Sequence, residues 1–343
     1  MQKEKLYGKT LGELISVTKR LNLPGFAAKQ IADWLYKKEI DSIEAMSNLS
    51  RKARELLSKH YVYGLSAPVS YSESSDGTKK YLYNILIDKY IETAYIPDKE
   101  RATICVSSQA GCKMGCLFCM TGRQGFQGNL SSNEILNQFR SLPEFRSLTN
   151  IVFMGMGEPL DNIIELLKSL DILTADWGYR WSPTRITVST VGLVANITEF
   201  LEKSRCHLAV SLHSPFDEER HELMPIQRTN SIIDVLHAIR SFDFNSQRRI
   251  SFEYILFKGL NDSPRHIKEL ARILNGIKCR INIIRFHSIP GSSYESPDNE
   301  TTIRFKDRLN EKGILTTIRV SRGEDIQAAC GLLSTLEQNK SGK

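Results

Sequence analysis

The sequence predicts an α/β fold: a partial, open parallel β/α barrel preceded by a small N-terminal helical domain. Three observations predict it. From about residue 100, short β-branched runs recur at 102–108, 150–157, 185–192, 207–214, 249–257 and 280–288. Amphipathic stretches at 133–142, 163–173, 231–242 and 265–274 lie between most of them, and repeated βα units mean a parallel sheet with helices outside. Six such units are too few to close an eight-fold barrel.

Residues 10–60, by contrast, carry helical spacing only. Leu11, Leu14, Ile15 and Leu21 mark a first helix. Residues 25–38 mark a second, with Ala28, Ile31, Leu35 and Tyr36 on one face. Residues 48–61 mark a third, with Ser50 as its cap and Leu56 and Leu57 turned inward. The period then changes: 79–88 and 90–97 read as strands, with Asp76-Gly77 a turn between paired runs. These shifts divide the chain into a basic helical domain at 1–65, a β-hairpin linker at 66–98, and the barrel with a C-terminal extension at 99–343. The last residues, EQNKSGK, read as a frayed tail.

Composition narrows the class. The chain has 343 residues, 41% hydrophobic and 25% charged, as in ordinary globular proteins. No apolar run approaches the roughly 18–20 residues of a membrane span, and the first thirty residues hold no secretory block. A cytoplasmic, reducing setting is expected, where the seven cysteines serve metal binding or catalysis rather than structural disulfides. Net charge is +7, and residues 1–60 hold 12 Lys and Arg against 7 Asp and Glu. That basic segment, with Trp34, Tyr36, Lys37 and Lys38 close together, has the charge to hold a nucleic-acid backbone.

Residues 112–119 read CKMGCLFC. A structural zinc normally wants four closed ligands, often as paired C-x2-C hooks, and no second hook exists. A 4Fe–4S cluster has four iron corners, so three thiolates leave one open to a substrate. The spacing favours the cluster and leaves zinc standing as the alternative. Polar residues also sit at the strands' C-terminal ends, where parallel α/β architectures build their active sites.

Wider stretches are more specific: DGTKKYLY (76–83), ATICVSSQAGCKMGCLFCMTGRQGFQGNL (102–130), FMGMGEPLDN (153–162), VSTVG (188–192), SLHSP (211–215), LMPI (223–226), INIIRFHSIPG (281–291) and RGEDIQAACG (322–331). Over nearly the whole chain these closely resemble the RlmN family of dual-specificity rRNA/tRNA adenine-C2 methyltransferases, within the radical SAM superfamily. The Cfr enzymes, which methylate adenine C8, are close relatives. The resemblance implies a barrel of the radical SAM type and methylation of C2 of a specific adenosine in 23S rRNA and in tRNA. Adenine C2 is electron-poor and the methyl of S-adenosylmethionine (SAM) is an electrophile, so a radical route, supplied by cofactors, is required.

By the same resemblance, Cys112, Cys116 and Cys119 hold a 4Fe–4S cluster, and two SAM molecules are used per turnover. Gly157, Glu158, Ser189, Ser211, Leu212, His213 and His287 contact SAM. Cys330 carries the methyl group as S-methylcysteine, Cys105 releases the product through a transient disulfide, and Glu92 takes the C2 proton. Two positions depart from the family pattern: His287 stands where an Asn is usual, and Leu332 where a Gln is usual. Cys206 and Cys279 match no functional position and read as ordinary buried thiols. The expected partners are RNA and an electron donor such as a flavodoxin-type protein, with no membrane and a monomeric chain. A C8 methyltransferase, a non-catalytic RNA-binding metal protein and a radical SAM enzyme acting on a protein or small molecule are the rival readings.

Overall fold

Every residue of the stretch Ile250–Leu256 is buried, the mark of a parallel strand covered on both faces. The computed structural model describes residues 3–38, 40–86, 89–244, 248–329 and 331–333. Its N-terminal part contains β1 (Glu4–Lys5), α1 (Leu11–Arg20), α2 (Ala27–Tyr36), α3 (Arg51–His60) and β2 (Tyr61–Val62), with β1 parallel to β2. Thr10 and Glu13 form a reciprocal capping box at the start of α1. Ser50 caps α3 by accepting the Ala53 N–H at 3.2 Å.

Then come β3 (Ser70–Glu73), β4 (Lys79–Leu86), β5 (Lys89–Asp98) and β6 (Arg101–Cys105). The loop after β6 holds β7 (Gln109–Ala110), α4 (Met120–Gln124) and β8 (Gly128–Asn129). The repeat continues as α5 (Ser132–Arg140), β9 (Asn150–Phe153), α6 (Ile163–Thr174), β10 (Ile186–Thr190), α7 (Val194–Lys203), β11 (His207–Ser211), α8 (Asp217–Leu223) and α9 (Ile232–Arg240). It ends with β12 (Ile250–Leu256), α10 (Pro264–Ile273), β13 (Cys279–Arg285), α11 (Asn299–Glu311) and β14 (Leu315–Ile318).

One 10-stranded sheet runs in the order β14-β13-β12-β11-β10-β9-β6-β5-β4-β3. From β6 to β14 all neighbours are parallel, and from β3 to β6 all are antiparallel. The sheet is open, with β14 and β3 as its edges. One expectation changes: the parallel part has a further strand, β14, preceded by α11. Asp76-Gly77 turns β3 into β4, a turn between paired runs as expected. The segment read as a linker is therefore continuous with the barrel sheet through β5 and β6.

The helical N-terminal part is docked, not appended. The Tyr7 hydroxyl lies 2.7 Å from that of Tyr179 on the barrel. The Tyr36 ring packs 5.9 Å from Trp177 and 5.5 Å from Tyr179, centroid to centroid. Asn133 of α5 donates to the carbonyls of Tyr7 at 3.0 Å and Gly64 at 2.8 Å. Tyr36, read from sequence as an RNA contact, is thus 4% exposed and belongs to the core. Its helix face meets the barrel. Lys37 and Lys38 stay exposed, and the Lys38 ammonium lies 4.4 Å from the Trp34 ring centroid.

Candidate active site

The loop that leaves β6 carries the three clustered thiols. Its shape is fixed by backbone hydrogen bonds: Cys112 N–H to Gly125 O at 3.2 Å, Cys119 N–H to Cys116 O at 3.2 Å, and Leu117 N–H to Leu223 O of α8 at 3.1 Å. Met120 N–H, at the start of α4, donates to Gly331 O at 2.8 Å and ties the loop to the C-terminal segment. Cys112, Cys116 and Cys119 line one cavity, with Gly157, Glu158, Ser189, Ser211 and His213. Strand ends distant in sequence thus converge as the topology requires. Leu212, between Ser211 and His213, instead points into the main core and is fully buried there.

Glu158 is buried, and its carboxylate accepts the backbone N–H groups of Val191 at 2.8 Å and Leu160 at 3.1 Å. Burial pushes its pKa up to about 7, against the pull of hydrogen bonds from Thr190, Val191 and Leu160. Gln109 positions this carboxylate by accepting the Glu158 N–H at 2.9 Å. Gly157 makes that approach possible: its φ is +94°, and a Cβ there would run into the Gln109 side chain.

His213 adopts φ +56° and is buried. Its Nδ1 accepts the Ile255 N–H at 3.0 Å, so the neutral ring carries its proton on Nε2. Burial, helped by Arg220, lowers its pKa to about 3. Phe118 of the cysteine loop meets the ring edge-on at 4.7 Å between centroids. Two residues behind this wall were not singled out from sequence. Arg220 of α8 is fully buried and donates to the carbonyls of Val191 at 2.7 Å, Ser211 at 3.0 Å and Leu212 at 3.2 Å, joining the ends of β10 and β11. Glu253, a carboxylate inside the fully buried β12, lines the cavity and pairs with Arg319 at 3.3 Å. A charge in the middle of a fully buried strand was the available signal for it.

A second cavity adjoins the first, because Met154 and Ile284 line both. Cys105 lines it from the end of β6, together with Ala328 and Ala329 of the C-terminal segment. His287, expected in contact with SAM, lines this second cavity instead, with Nδ1 3.2 Å from the Glu324 carboxylate and Nε2 3.1 Å from the Ser321 hydroxyl. Glu92 is buried on β5 and pairs with Lys80 at 3.0 Å. It is two residues from Ala94 on the same sheet face, and Ala94 packs against Cys105. Cys330 lies outside the described residues. Its neighbours Ala329 and Gly331 line the second and the first cavity respectively. Cys206 is buried with its pKa raised to about 11 by burial, and Cys279 is partly buried with its pKa raised to about 12 by burial.

The donor set fits an iron–sulfur cluster. Burial pushes Cys112 up to about 12 and Cys116 well above the ordinary thiol value, with mutual thiolate repulsion adding to it. Such thiols ionise together only around a strongly cationic centre. Among the described residues no group of three or more His, Cys, Asp or Glu converges on a single ion. The three thiols share a cavity wall rather than a point, which suits a larger group.

Comparison with known proteins agrees with this geometry. Residues 106–272 match the Radical SAM superfamily, and residues 5–62 match the ribosomal RNA large subunit methyltransferase N-terminal domain. A probable dual-specificity RNA methyltransferase RlmN of Bacteroides thetaiotaomicron is 57% identical over 343 residues, covering 100% of this chain and 99% of that one. The chain belongs to the RlmN family. A dual-specificity RNA methyltransferase RlmN of Campylobacter lari is 43% identical over 329 residues, covering 90% of this chain and 92% of its own length. The crystal structure of a radical SAM methyltransferase from Sphaerobacter thermophilus superposes with a TM-score of 0.89 at 38% identity, covering 96% of this chain and 99% of that chain. The chain is therefore a SAM-dependent RNA methyltransferase with the radical SAM fold, and that membership implies a 4Fe–4S cluster and SAM. Among the described residues no helix is long and apolar enough to cross a membrane.

Proposed function

We propose that the chain methylates C2 of a specific adenosine in 23S rRNA and in tRNA, through a methyl group carried on Cys330. One observation carries this reading: Ala329 and Gly331, on either side of Cys330, line two adjoining cavities, one with the three clustered thiols and one with Cys105. A cysteine between the two can serve both.

In this reading Cys112, Cys116 and Cys119 hold the cluster. When bound, the cluster and SAM supply one-electron chemistry that side chains cannot perform. The Glu158 carboxylate accepts a hydrogen bond from the amino group of SAM, with Gly157, Ser189, Ser211 and His213 shaping the same wall. The His213 ring, held neutral, offers one directed donor and no competing charge. The Cys330 thiolate accepts a methyl group as a nucleophile. Cys105 releases the methylated base by forming a disulfide with Cys330, so neither sulfur leaves the protein. Glu92, paired with Lys80 on the face that carries Cys105, takes the proton from C2. His287 shapes the second cavity.

The basic N-terminal helices, through Lys37 and Lys38 rather than Tyr36, hold RNA backbone. The target adenosine must be unstacked to reach a buried site. The chain acts as a cytoplasmic monomer with a flavodoxin-type electron donor. The test is anaerobic reaction of the cluster-loaded chain with SAM, reductant and protein-free ribosomal RNA or tRNA, followed by nucleoside mass spectrometry. Methyl at adenine C2 is expected. Methyl found only at C8 overturns the reading in favour of the Cfr-type reaction.

A further inference from the structure

The turn between β3 and β4 lines neither of the two cavities described above, yet it carries the Asp-Gly-Thr of residues 76–78. Its partner is the Arg-Gly-Glu-Asp segment of residues 322–325, which leads into the turn at 324–327. Asp76 Oδ1 accepts the N–H of Thr78 at 2.9 Å, which shapes its own turn. Asp76 Oδ2 accepts the N–H of Gly323, 247 residues away in sequence, also at 2.9 Å. The exchange is mutual, because Asp325 Oδ2 accepts the N–H of Ser75 at 3.1 Å. Each turn thus supplies a carboxylate to an amide of the other, the stronger, charge-assisted kind of hydrogen bond. Arg322 adds an ion pair with Asp98 of β5 at 3.1 Å.

The fit is close. Gly323 has φ +63°, and a Cβ there would stand 2.8 Å from Thr78 Cγ2 and 2.9 Å from Ala328 Cβ. Gly323 O in turn accepts the Ala328 N–H at 2.8 Å and closes the C-terminal turn. Ala328 then packs against Cys105 and Ala94. The path from Asp76 to Cys105 is continuous: carboxylate, Gly323, turn, Ala328, thiol.

We propose that Asp76 and Asp325 are positioning residues, a two-way clasp that holds residues 323–329 against Cys105 and so favours the disulfide assigned above to Cys105 and Cys330. This rests on the two-thiol reading above. The clasp raises the effective concentration of one thiol at the other by removing the segment's freedom before the bond forms. The Asp76 carboxyl is suited to it: against the cost of partial burial, hydrogen bonds from Thr78, Gly323 and Ser74 hold its pKa down to about 2, so it stays ionised at any working pH.

The test measures the Cys105–Cys330 disulfide against a glutathione buffer, in the cluster-loaded full chain under anaerobic conditions. Two protein thiols and one glutathione disulfide give one protein disulfide and two glutathione thiols, the two electrons and two protons passing to glutathione. After acid quench and alkylation, peptide mass spectrometry reads the ratio. In Asp76→Asn one of the two acceptor oxygens becomes an NH2 donor, so the bond from Thr78 or that from Gly323 is lost. In Asp325→Ala, at an exposed position, the bond to Ser75 is lost with little risk to folding. Each variant is expected to lower the disulfide equilibrium constant by about tenfold or more. An equilibrium constant unchanged in both variants overturns the clasp, whether or not the melting temperature falls, since a merely structural contact moves only the latter. A wild-type chain that never forms this disulfide at any glutathione ratio overturns the two-thiol reading itself, and the clasp with it.

Discussion

The Glu158 carboxyl offers a test with a worked magnitude. Burial raises its pKa to about 7, so between pH 5.5 and 7.0 the ionised fraction climbs from about 3% to about 50% by simple titration. His213, lowered to about 3, stays neutral throughout. If ionised Glu158 accepts a hydrogen bond from the SAM amino group, apparent affinity follows the ionised fraction and tightens about sixteen-fold from pH 5.5 to pH 7.0. Glu158→Gln should bind SAM more weakly at pH 7 and lose this slope. Anaerobic calorimetry or equilibrium dialysis on the cluster-loaded chain reads both. The reasoning fails if the wild type shows no slope, or if the Gln variant shows the same one. The raised value also sets a sign for folding. A carboxyl whose folded pKa lies above its unfolded 4.5 contributes most below pH 4.5 and loses that contribution as pH rises towards 7.

His213 carries the opposite sign. Its folded pKa of about 3 lies below the unfolded 6.5, so its contribution is complete above pH 6.5 and is lost as pH falls towards 3. Denaturant unfolding of the wild type between pH 6.5 and 5 should be steeper in pH than that of His213→Gln by up to about 1.4 kcal/mol per pH unit, and equal slopes would count against the buried neutral ring. Gly157→Ala forces a positive φ at a cost of about 1–2 kcal/mol and drives a methyl into Gln109. SAM affinity should fall while iron content holds, and wild-type affinity in that variant would contradict the close approach. Cys105→Ala should leave a covalent RNA adduct through Cys330 in protein isolated from cells, and Cys330→Ala should show neither adduct nor methyl loading. Adduct-free Cys105→Ala protein would remove the resolving role.

What could be read from sequence followed the strength of the local pattern. The run at 249–257 is long and apolar, and β12 formed within it. The segment LTTI of β14 is four residues long, half of them polar, and pairs on one side only, so it carries little period of its own. The Cys112, Cys116 and Cys119 spacing is local and was legible. Tyr36 shows the limit of periodicity: it marked the buried face of α2 correctly, but not that the barrel's Trp177 and Tyr179 cover that face. His287 illustrates another. Matching position to position put it with SAM, while its hydrogen bonds to Ser321 and Glu324 come from a segment far along the chain. Arg220 and Glu253 escaped notice because an isolated charge means little until its burial is known.

The tyrosine seam between the helical N-terminal part and the barrel has a consequence for substrate choice. With Tyr7, Tyr36 and Tyr179 in one shared interior, the two halves cannot swing apart, and the exposed Lys37 and Lys38 sit at a set span and angle from the thiol-lined cavities. The molecule then works as a fixed caliper. If Lys37 and Lys38 grip RNA as proposed, an RNA held at one jaw delivers an adenosine to the other only when its own folded outline matches the gap, and two unrelated RNAs with a common contour can then be served by one enzyme.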